Sequence, residues 1–284
     1  MVTQPDRQKG RSLKIASTPV KSKAEELGIK TFQPVKVNSK EAIEFLGKFN
    51  ADLFIIVSFG QILSKAVLSL PRLYCLNIHA SLSPEYRGAA PINWAIANGE
   101  KETGVTIMKM NEKMDEGDVL LKESVAIDPC DDAVTLSDKL SKKGAESLFK
   151  AMELIKTNKA DFIKQDHSKA TLAPKLKKDD GLIDWKMAAE EISNRIRAFA
   201  PWPGCFTCLD KKMLKIWKAR PVVDLADKKS KPGAILAVNK NNIVVKTGKG
   251  ALNIEELQLE GSRRMTAEEF LAGHNVTNQV ILIL

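Results

Sequence analysis

Residues 53–79 read LFIIVSFGQILSKAVLSLPRLYCLNIH and carry the clearest fold signal in the chain. The segment begins with a continuous apolar run at 53–58 and ends with a second run at 73–79. Continuous apolar runs of this length are typical of strands that are buried in a parallel sheet. Because helical patterns alternate with such runs, the segment predicts an α/β layer arrangement.

Helical and strand patterns alternate along the first part of the chain, after a predicted loop at 1–17. Thr18 followed by Pro19 marks the start of the first helix, and the pair Asn38 and Glu41 predicts the cap of the second. The other elements predicted here are helices at 91–98 and 131–158 and strands at 30–32, 105–110 and 119–126.

The pattern changes after residue 158. A polar connection at 159–183 leads to a predicted helix at 187–199, which the sequence PWPG at 201–204 ends. Short strand-like runs separated by turn residues follow at 213–217, 233–238, 243–247 and 252–259. We therefore predict an α/β domain at 1–175, with a mostly parallel sheet and helices on both faces, and a small OB-like β-barrel domain at 176–284.

The composition favours a globular protein of the cytoplasm. Of the 284 residues, 44% are hydrophobic, which is enough for a sizeable core. No run reaches the ~18 apolar residues of a membrane helix, and the polar, basic start lacks the apolar core of a signal peptide. The four cysteines are too scattered for a disulfide framework, which favours a reducing compartment. We expect a monomer that does not contact membranes.

A CxxC pair at Cys205 and Cys208 raises the question of a metal site. A zinc ion would need two further ligands, and the chain has only three histidines: His79, His167 and His274. We interpret the thiols as structural and expect no metal.

The formal net charge of +9 is concentrated in two regions. Residues 1–24 hold six Lys or Arg and one acid, and residues 206–250 hold eleven Lys or Arg and three acids. Two separate basic regions favour a polyanionic partner, because Lys and Arg release counterions from phosphates. From charge alone, a solvated and solubilising surface explains them equally well.

Residues 76–92, which read LNIHASLSPEYRGAAPI, place polar side chains where a buried strand ends. Asn77 and His79 are two residues apart, so both face the same side, at the sheet edge where ligands bind in open α/β folds. An isolated Asn-x-His is more often structural. Here Asp115 follows the next predicted strand, thirty-six residues after His79, and Gly117 permits a tight turn beside it.

Three segments carry a resemblance to a known family: NIHASLSPEYRGAAPI at 77–92, ETGVTIM at 102–108 and MDEGDVL at 114–120. VTQPDRQKGR, ADLFIIVSFGQIL, APK, IDW and IRAFAPWPG follow the family pattern in the same order. The chain resembles the methionyl-tRNA formyltransferases over roughly residues 2–275. The resemblance implies transfer of a formyl group from 10-formyltetrahydrofolate to the amine of methionyl-initiator tRNA.

The resemblance also implies catalytic roles for Asn77, His79 and Asp115. An amine that attacks a formyl carbon forms an oxyanion, which Asn77 and a protonated His79 suit as hydrogen-bond donors. Asp115 is the candidate to accept or relay the proton of the amine, or to keep the imidazole charged.

Binding sites for the folate and the tRNA follow from the same resemblance. The folate-binding residues it implies are Phe59, Gly60, Gln61, Ile62, Leu63, Ser81, Leu82, Ser83, Pro84 and Asp118. The tRNA-binding residues it implies are Arg7, Lys9, Arg11 and Lys14 in a basic loop, and Lys211, Lys212 and Lys215 in the β-rich domain. Arg11 occupies the position of the family's key arginine.

The chain departs from the family pattern at both ends. It lacks the first strand and its glycine-containing turn, so we expect strands such as 53–58 to expose unpaired backbone groups. The apolar end VTNQVILIL is also atypical. An inactive truncated remnant that binds RNA through charge therefore stays an alternative. A formyltransferase that acts on a small amine, such as glycinamide ribonucleotide or an aminosugar nucleotide, is a second alternative, because such enzymes share the arrangement of Asn, His and Asp.

Overall fold

The computed structural model describes residues 1–9, 14–222, 229–277 and 281–282. Its strands are β1 Arg7–Lys9, β2 Lys14–Ala16, β3 Leu53–Ile56, β4 Tyr74–His79, β5 Arg87–Gly88, β6 Glu102–Lys109, β7 Val119–Ala126, β8 Leu172–Ala173, β9 Cys205–Leu209, β10 Lys212–Val222, β11 Ile235–Asn239, β12 Asn242–Lys246, β13 Ala251–Leu259 and β14 Met265–Thr266. Its α-helices are α1 Pro19–Glu26, α2 Lys40–Gly47, α3 Lys65–Leu68, α4 Pro91–Ala97, α5 Ala133–Lys156, α6 Ala189–Phe199 and α7 Ala267–Gly273.

The chain divides into two compact units, each built from several segments. Unit 1 comprises Met1–His79, Val105–Glu123 and Gly144–Ala170, and unit 2 comprises Ala80–Gly104, Ser124–Lys143 and Thr171–Leu284. The units are interleaved along the sequence, so the domain limits of 1–175 and 176–284 stay a prediction.

Unit 1 is built on a four-stranded sheet with the order β3-β4-β6-β7. The two apolar runs form the parallel pair β3 and β4, as predicted, whereas β6 runs antiparallel to β4. The α/β architecture is confirmed, and the sheet is mixed rather than mostly parallel. The apolar pattern could not reveal this, because a strand buried on both faces looks alike in either direction. In the described sheet β3 is an edge strand, and Ile55 on this strand is exposed.

The N-terminal part of unit 1 differs locally from the predictions. Thr18 caps α1 as expected, but α2 is capped by Ser39 rather than by Asn38, whose amide bonds the loop after β3 instead. The predicted strand at 30–32 is reduced to a single bridge, and the predicted loop at 1–17 contains the antiparallel pair β1 and β2.

Unit 2 contains a six-stranded antiparallel sheet with the order β11-β12-β13-β10-β9, and β14 pairs with β13. Helix α6 packs on β10. The predicted β-rich second part is therefore confirmed as an antiparallel sheet, while its closure into an OB-like barrel stays a prediction. The sequence prediction missed α7, whose start is marked by a capping box of Thr266 and Glu269.

The CxxC pair lies on β9, where residues three apart point to opposite faces of the strand. Cys205 is buried, and burial raises the pKa of its thiol to about 12, whereas Cys208 is only partly buried. Side chains on opposite faces cannot converge on one tetrahedral ion, which supports the interpretation of these thiols as structural.

No α-helix in the described ranges has the length and apolar character needed to cross a bilayer.

Candidate active site

Two members of the predicted trio lie on β4 at the point where this strand ends. Asn77 is paired with Met108 on β6, and His79 is paired with Thr106. The alternation of side chains puts Asn77 and His79 on one face of the sheet. Since β4 is bonded to β3 on one side and to β6 on the other, the backbone that carries both side chains is firmly held.

Asp115 joins them from the loop between β6 and β7. The Asn77 amide donates through Nδ2 to Asp115 Oδ1 at 3.1 Å. His79 Nδ1 lies 3.7 Å from the same carboxylate oxygen, and the His79 and Asp115 side chains are only 7% and 13% exposed. The structure therefore brings an amide, an imidazole and a carboxylate together in one shielded place.

The backbone of this loop is tightly constrained. Asp115 has a φ of +53°, in the left-handed region that Asp and Asn tolerate better than most residues. A Cβ on Gly117 would overlap the carbonyl oxygen of Lys109, so glycine is needed here for close approach to β6. Gly117 is predicted to permit a tight turn, and the structure adds this close approach as a second reason for glycine. The Lys109 N–H also donates to the Asp118 carbonyl at 2.8 Å.

Gln165 also contacts this loop, although no sequence pattern predicted a role for it. Its side-chain amide donates to the carbonyl oxygens of Asp115, at 2.9 Å, and of Gly117, at 2.7 Å. Gln165 is 8% exposed and lies in the segment that was predicted only as a polar connection. No motif or spacing in the sequence links residue 165 to residue 115, so only the tertiary structure reveals the contact.

The loop after β3, which the resemblance assigns to folate binding, is held by side-chain amides. Gln4 donates to the Phe59 carbonyl at 2.7 Å, and Asn38 donates to the Ile62 carbonyl at 2.8 Å. The side-chain oxygen of Gln61 accepts a hydrogen bond from the backbone N–H of Val37 at 2.9 Å. These bonds preorganise the loop, because its backbone carbonyls are held by side chains from neighbouring segments.

The side chains of this loop have different environments. Leu63 is buried in a core cluster with Val37, Leu46 and Val67, whereas Ile62 is 69% exposed. Gly60 has a φ of +80°, and the space around it is open. Ile62 is therefore available to a ligand, while Leu63 acts through packing.

The other predicted folate residues are divided between the units. Ser81 and Ser83 are fully buried in unit 2, where Ser81 Oγ donates to the Glu85 carbonyl at 2.7 Å. Leu82 and Pro84 beside them are partly buried. Residues 59–63 and Asp118 belong to unit 1, so a single pocket made of both groups stays a prediction.

The predicted tRNA-binding residues that the structure describes lie on two antiparallel strand pairs, β1 with β2 and β9 with β10. Arg7 is exposed on β1, and the backbone of Lys9 pairs with that of Lys14 on β2, while Arg11 lies outside the described residues. In unit 2, Lys211 and Lys212 are exposed where β9 turns into β10. The Lys215 ammonium lies 5.4 Å from the centre of the Trp217 ring.

Comparison with known proteins assigns this fold to the formyl transferases. The formyl transferase family model matches residues 1–152, and the model of the formyl transferase C-terminal domain matches residues 175–275. The solved structure of WlaRD, a sugar 3N-formyl transferase, in the presence of dTDP and 5-N-formyl-THF is similar, with a TM-score of 0.64 at 20% identity. The similarity covers 86% of this chain and 82% of that chain and shows the fold alone.

Sequence relatives narrow the assignment. The methionyl-tRNA formyltransferase of Geobacter metallireducens is 50% identical over 273 residues, which cover 96% of this chain and 86% of the relative. That of Caldanaerobacter subterraneus subsp. tengcongensis is 48% identical over 283 residues, which cover 99% of this chain and 91% of the relative. The chain belongs to the methionyl-tRNA formyltransferase family, which confirms the predicted family.

Proposed function

We propose that this chain transfers a formyl group from 10-formyltetrahydrofolate to the amine of methionine on initiator tRNA, in translation initiation. The observation that carries the proposal is the convergence of Asn77, His79 and Asp115 at the end of β4. The names of relatives at 50% and 48% identity support the same reaction. The fold neighbour that was crystallised with 5-N-formyl-THF supports a folate as the donor.

The first requirement of formyl transfer is a set of donors for the negative charge that grows on the formyl oxygen. The Asn77 amide has two N–H groups, and its bond to Asp115 occupies only one of them. His79 adds an imidazole 3.7 Å from the carboxylate, so a proton on Nδ1 would face a negative charge. Donors that are already fixed cost no reorganisation during the reaction, which is why such sites accelerate acyl transfer.

The second requirement is a base, because the attacking ammonium must lose a proton. The Asp115 carboxylate lies within 3.7 Å of both donors, and its side chain is only 13% exposed. Shielding from water strengthens its electrostatic interaction with a cationic amine. We assign Asp115 the role of proton acceptor or relay.

The remaining assignments concern the two domains and the residues that bind the tRNA and the folate. We propose residues 1–175 as the catalytic domain and residues 176–284 as a tRNA-binding domain, with Lys211, Lys212 and Lys215 as phosphate contacts. Folate binding by residues 59–63, 81–84 and Asp118 belongs to the same proposal. A monomer that needs no metal and works in the cytoplasm, where its aminoacylated substrate is used, completes it.

The direct test is a transfer assay with the purified full chain. Radiolabelled methionyl-initiator tRNA and 10-formyltetrahydrofolate are supplied, and formylmethionyl-tRNA is measured at several times. We expect transfer that depends on both substrates, with no transfer to glycinamide ribonucleotide or to an aminosugar nucleotide. Transfer to a small amine instead would identify the alternative enzyme. RNA binding that falls steeply with salt, without any transfer, would identify a charge-only RNA binder and reject the proposal.

A further inference from the structure

The loop between β6 and β7 has to hold Asp115 in an unfavourable backbone conformation. The φ of Asp115 is +53°, and two different side chains, Asn77 and His79, depend on the position of its Oδ1. Backbone conformations of this kind persist only where the surroundings enforce them. A group outside the loop is therefore needed to fix the backbone of Asp115.

Gln165 provides that fixation from a separate part of unit 1. One side-chain amide donates to the carbonyls of Asp115 and Gly117, so it links the backbone of the two residues that flank Glu116. The same nitrogen lies 3.9 Å from the sulfur of Met108, which is the cross-strand partner of Asn77. Gln165 thus contacts the loop that carries Asp115 and also Met108, the residue of β6 that pairs with Asn77.

The segment that carries Gln165 is itself anchored. Ile163 and Val119 exchange two backbone hydrogen bonds, at 2.8 and 2.9 Å, two residues before Gln165. Val119 is the first residue of β7, immediately after the loop. The backbone bridge from Ile163 to Val119 and the side-chain amide of Gln165 therefore both hold the loop against the segment at 163–165.

We infer that Gln165 is a positioning residue for formyl transfer, acting through Asp115. The inference rests on the proposed function, since Asp115 is the proton acceptor there. In this role Gln165 acts on the position of Asp115 rather than on the reacting atoms. It fixes the distance between the carboxylate and the two donors on β4, and a misplacement of about 1 Å in such sites lowers rates by about 100-fold.

The test replaces the amide donors while keeping the size of the side chain. Gln165→Met is expected to lower kcat by about 10- to 100-fold, with the KM for either substrate changed by less than about threefold. Thr207→Val is the matched control, because it removes a buried hydrogen bond to Trp185 Nε1 in unit 2. The control should lose stability and keep kcat. If Gln165→Met does not fold, Gln165→Glu serves instead, because its carboxylate donates no hydrogen at neutral pH.

A double-mutant cycle separates positioning from a general loss of stability. Single-turnover rates are measured for Asp115→Asn, for Gln165→Met and for the double variant, with enzyme in excess. If Gln165 acts through Asp115, adding Gln165→Met to Asp115→Asn changes the rate by less than about twofold. Effects that multiply, or an unchanged kcat for Gln165→Met, would overturn the inference.

Hydrogen exchange gives a readout that does not depend on catalysis. Amides of residues 110–118 should exchange faster in Gln165→Met than in the wild type, while strand β4 stays protected. Equal exchange in the loop would show that Gln165 does not hold it, whether or not the enzyme is active. Absence of transfer by the wild type, together with faster exchange in the variant, would reject the proposed function and the catalytic part of the inference but retain the contact.

Discussion

Asn77 and Asp115 are joined by a hydrogen bond of 3.1 Å between amide Nδ2 and carboxylate Oδ1, although they lie 38 residues apart in the sequence. The same oxygen is 3.7 Å from His79 Nδ1. One carboxylate oxygen is thus the common partner of a neutral donor and of an ionisable ring. Any displacement of the loop that carries Asp115 disturbs both contacts, so the site depends on backbone features that hold the loop.

The first prediction concerns the charge of Asp115. Asp115→Asn keeps the size of the side chain but removes the negative charge and the proton acceptor. We expect the transfer rate to fall at least 10-fold, since positioned acid–base groups contribute about 10²–10⁴-fold. The measurement is kcat for formylation of methionyl-initiator tRNA, with circular dichroism to show that the fold is kept.

The control is an acidic neighbour in the same loop. Glu116 pairs with the exposed ammonium of Lys113 at 3.5 Å and lies 4.0 Å from the exposed His167 ring, and Glu116→Gln removes the same charge one residue away. Its rate should stay within about threefold of the wild type, because surface pairs of this kind contribute little. If Asp115→Asn kept a tenth of the activity or more, Asp115 would not be the proton acceptor.

A second prediction tests the imidazole. His79→Ala removes an imidazole whose side chain is only 7% exposed and keeps the bond from Asn77 to Asp115. Loss of one oxyanion donor costs about 10²–10³ in kcat in comparable sites. We expect a similar loss here, with folate binding retained in equilibrium dialysis. A rate above a tenth of the wild type would remove His79 from the mechanism.

The third prediction concerns the close approach of the loop to β6. Gly117→Ala places a methyl group on the carbonyl oxygen of Lys109, so the loop must shift. We expect stability to fall by about 1–3 kcal/mol and the rate to fall further than this loss explains. Urea denaturation and kcat, measured on the same preparation, separate the two effects.

Gly273→Ala is the matched substitution, because nothing lies within 4 Å of the position a Cβ would take. It should change stability by less than about 1 kcal/mol and leave the rate unchanged. Wild-type kcat in Gly117→Ala would mean that the loop position does not limit catalysis.

Part of the fold and of the candidate site could be predicted from the sequence, and part could not. The apolar runs predicted β3 and β4, and strand alternation placed Asn77 and His79 on one face. Asp115 was predicted from the motif MDEGDVL, whose residues are consecutive at 114–120. Gln165 was not predictable, because its contact joins a side chain to backbone atoms 50 residues away, and neither periodicity nor composition encodes such a contact. Strand direction in β6 was missed because burial looks the same for both directions.

The fourth prediction addresses the basic loop around Arg11. Arg11→Ala should raise the KM for methionyl-tRNA about tenfold and reduce the slope of log affinity against log salt by about 1, since one phosphate contact is lost. The KM for folate should not change. Arg72→Ala removes an equal charge from an exposed pair with Asp52 and should leave both KM values unchanged. An unaltered dependence on tRNA concentration in Arg11→Ala would show that the loop does not recognise the RNA.

The last prediction concerns pH and a buried carboxylate in unit 2. Asp131 is 3% exposed and accepts hydrogen bonds from Lys139, at 2.7 Å, and from the Asp128 N–H, at 2.8 Å. Burial alone would raise the pKa of Asp131, but these hydrogen bonds and one from Thr135 outweigh it, so the pKa lies below its ordinary value. A carboxyl whose pKa is lowered by folding stabilises the protein above its unfolded pKa of about 4. That stabilisation is lost as the pH falls through the folded value.

Asp131→Asn should therefore lower the free energy of unfolding by about 2 kcal/mol at pH 7, and the difference from the wild type should shrink below about pH 4. Urea denaturation at pH 7, 5 and 3 measures the difference directly. Asp138→Asn is the control, since Asp138 and Lys142 form an exposed pair whose loss should cost less than about 0.5 kcal/mol. If the loss in Asp131→Asn were the same at every pH, it would arise from packing, and the charge of Asp131 would not stabilise the fold.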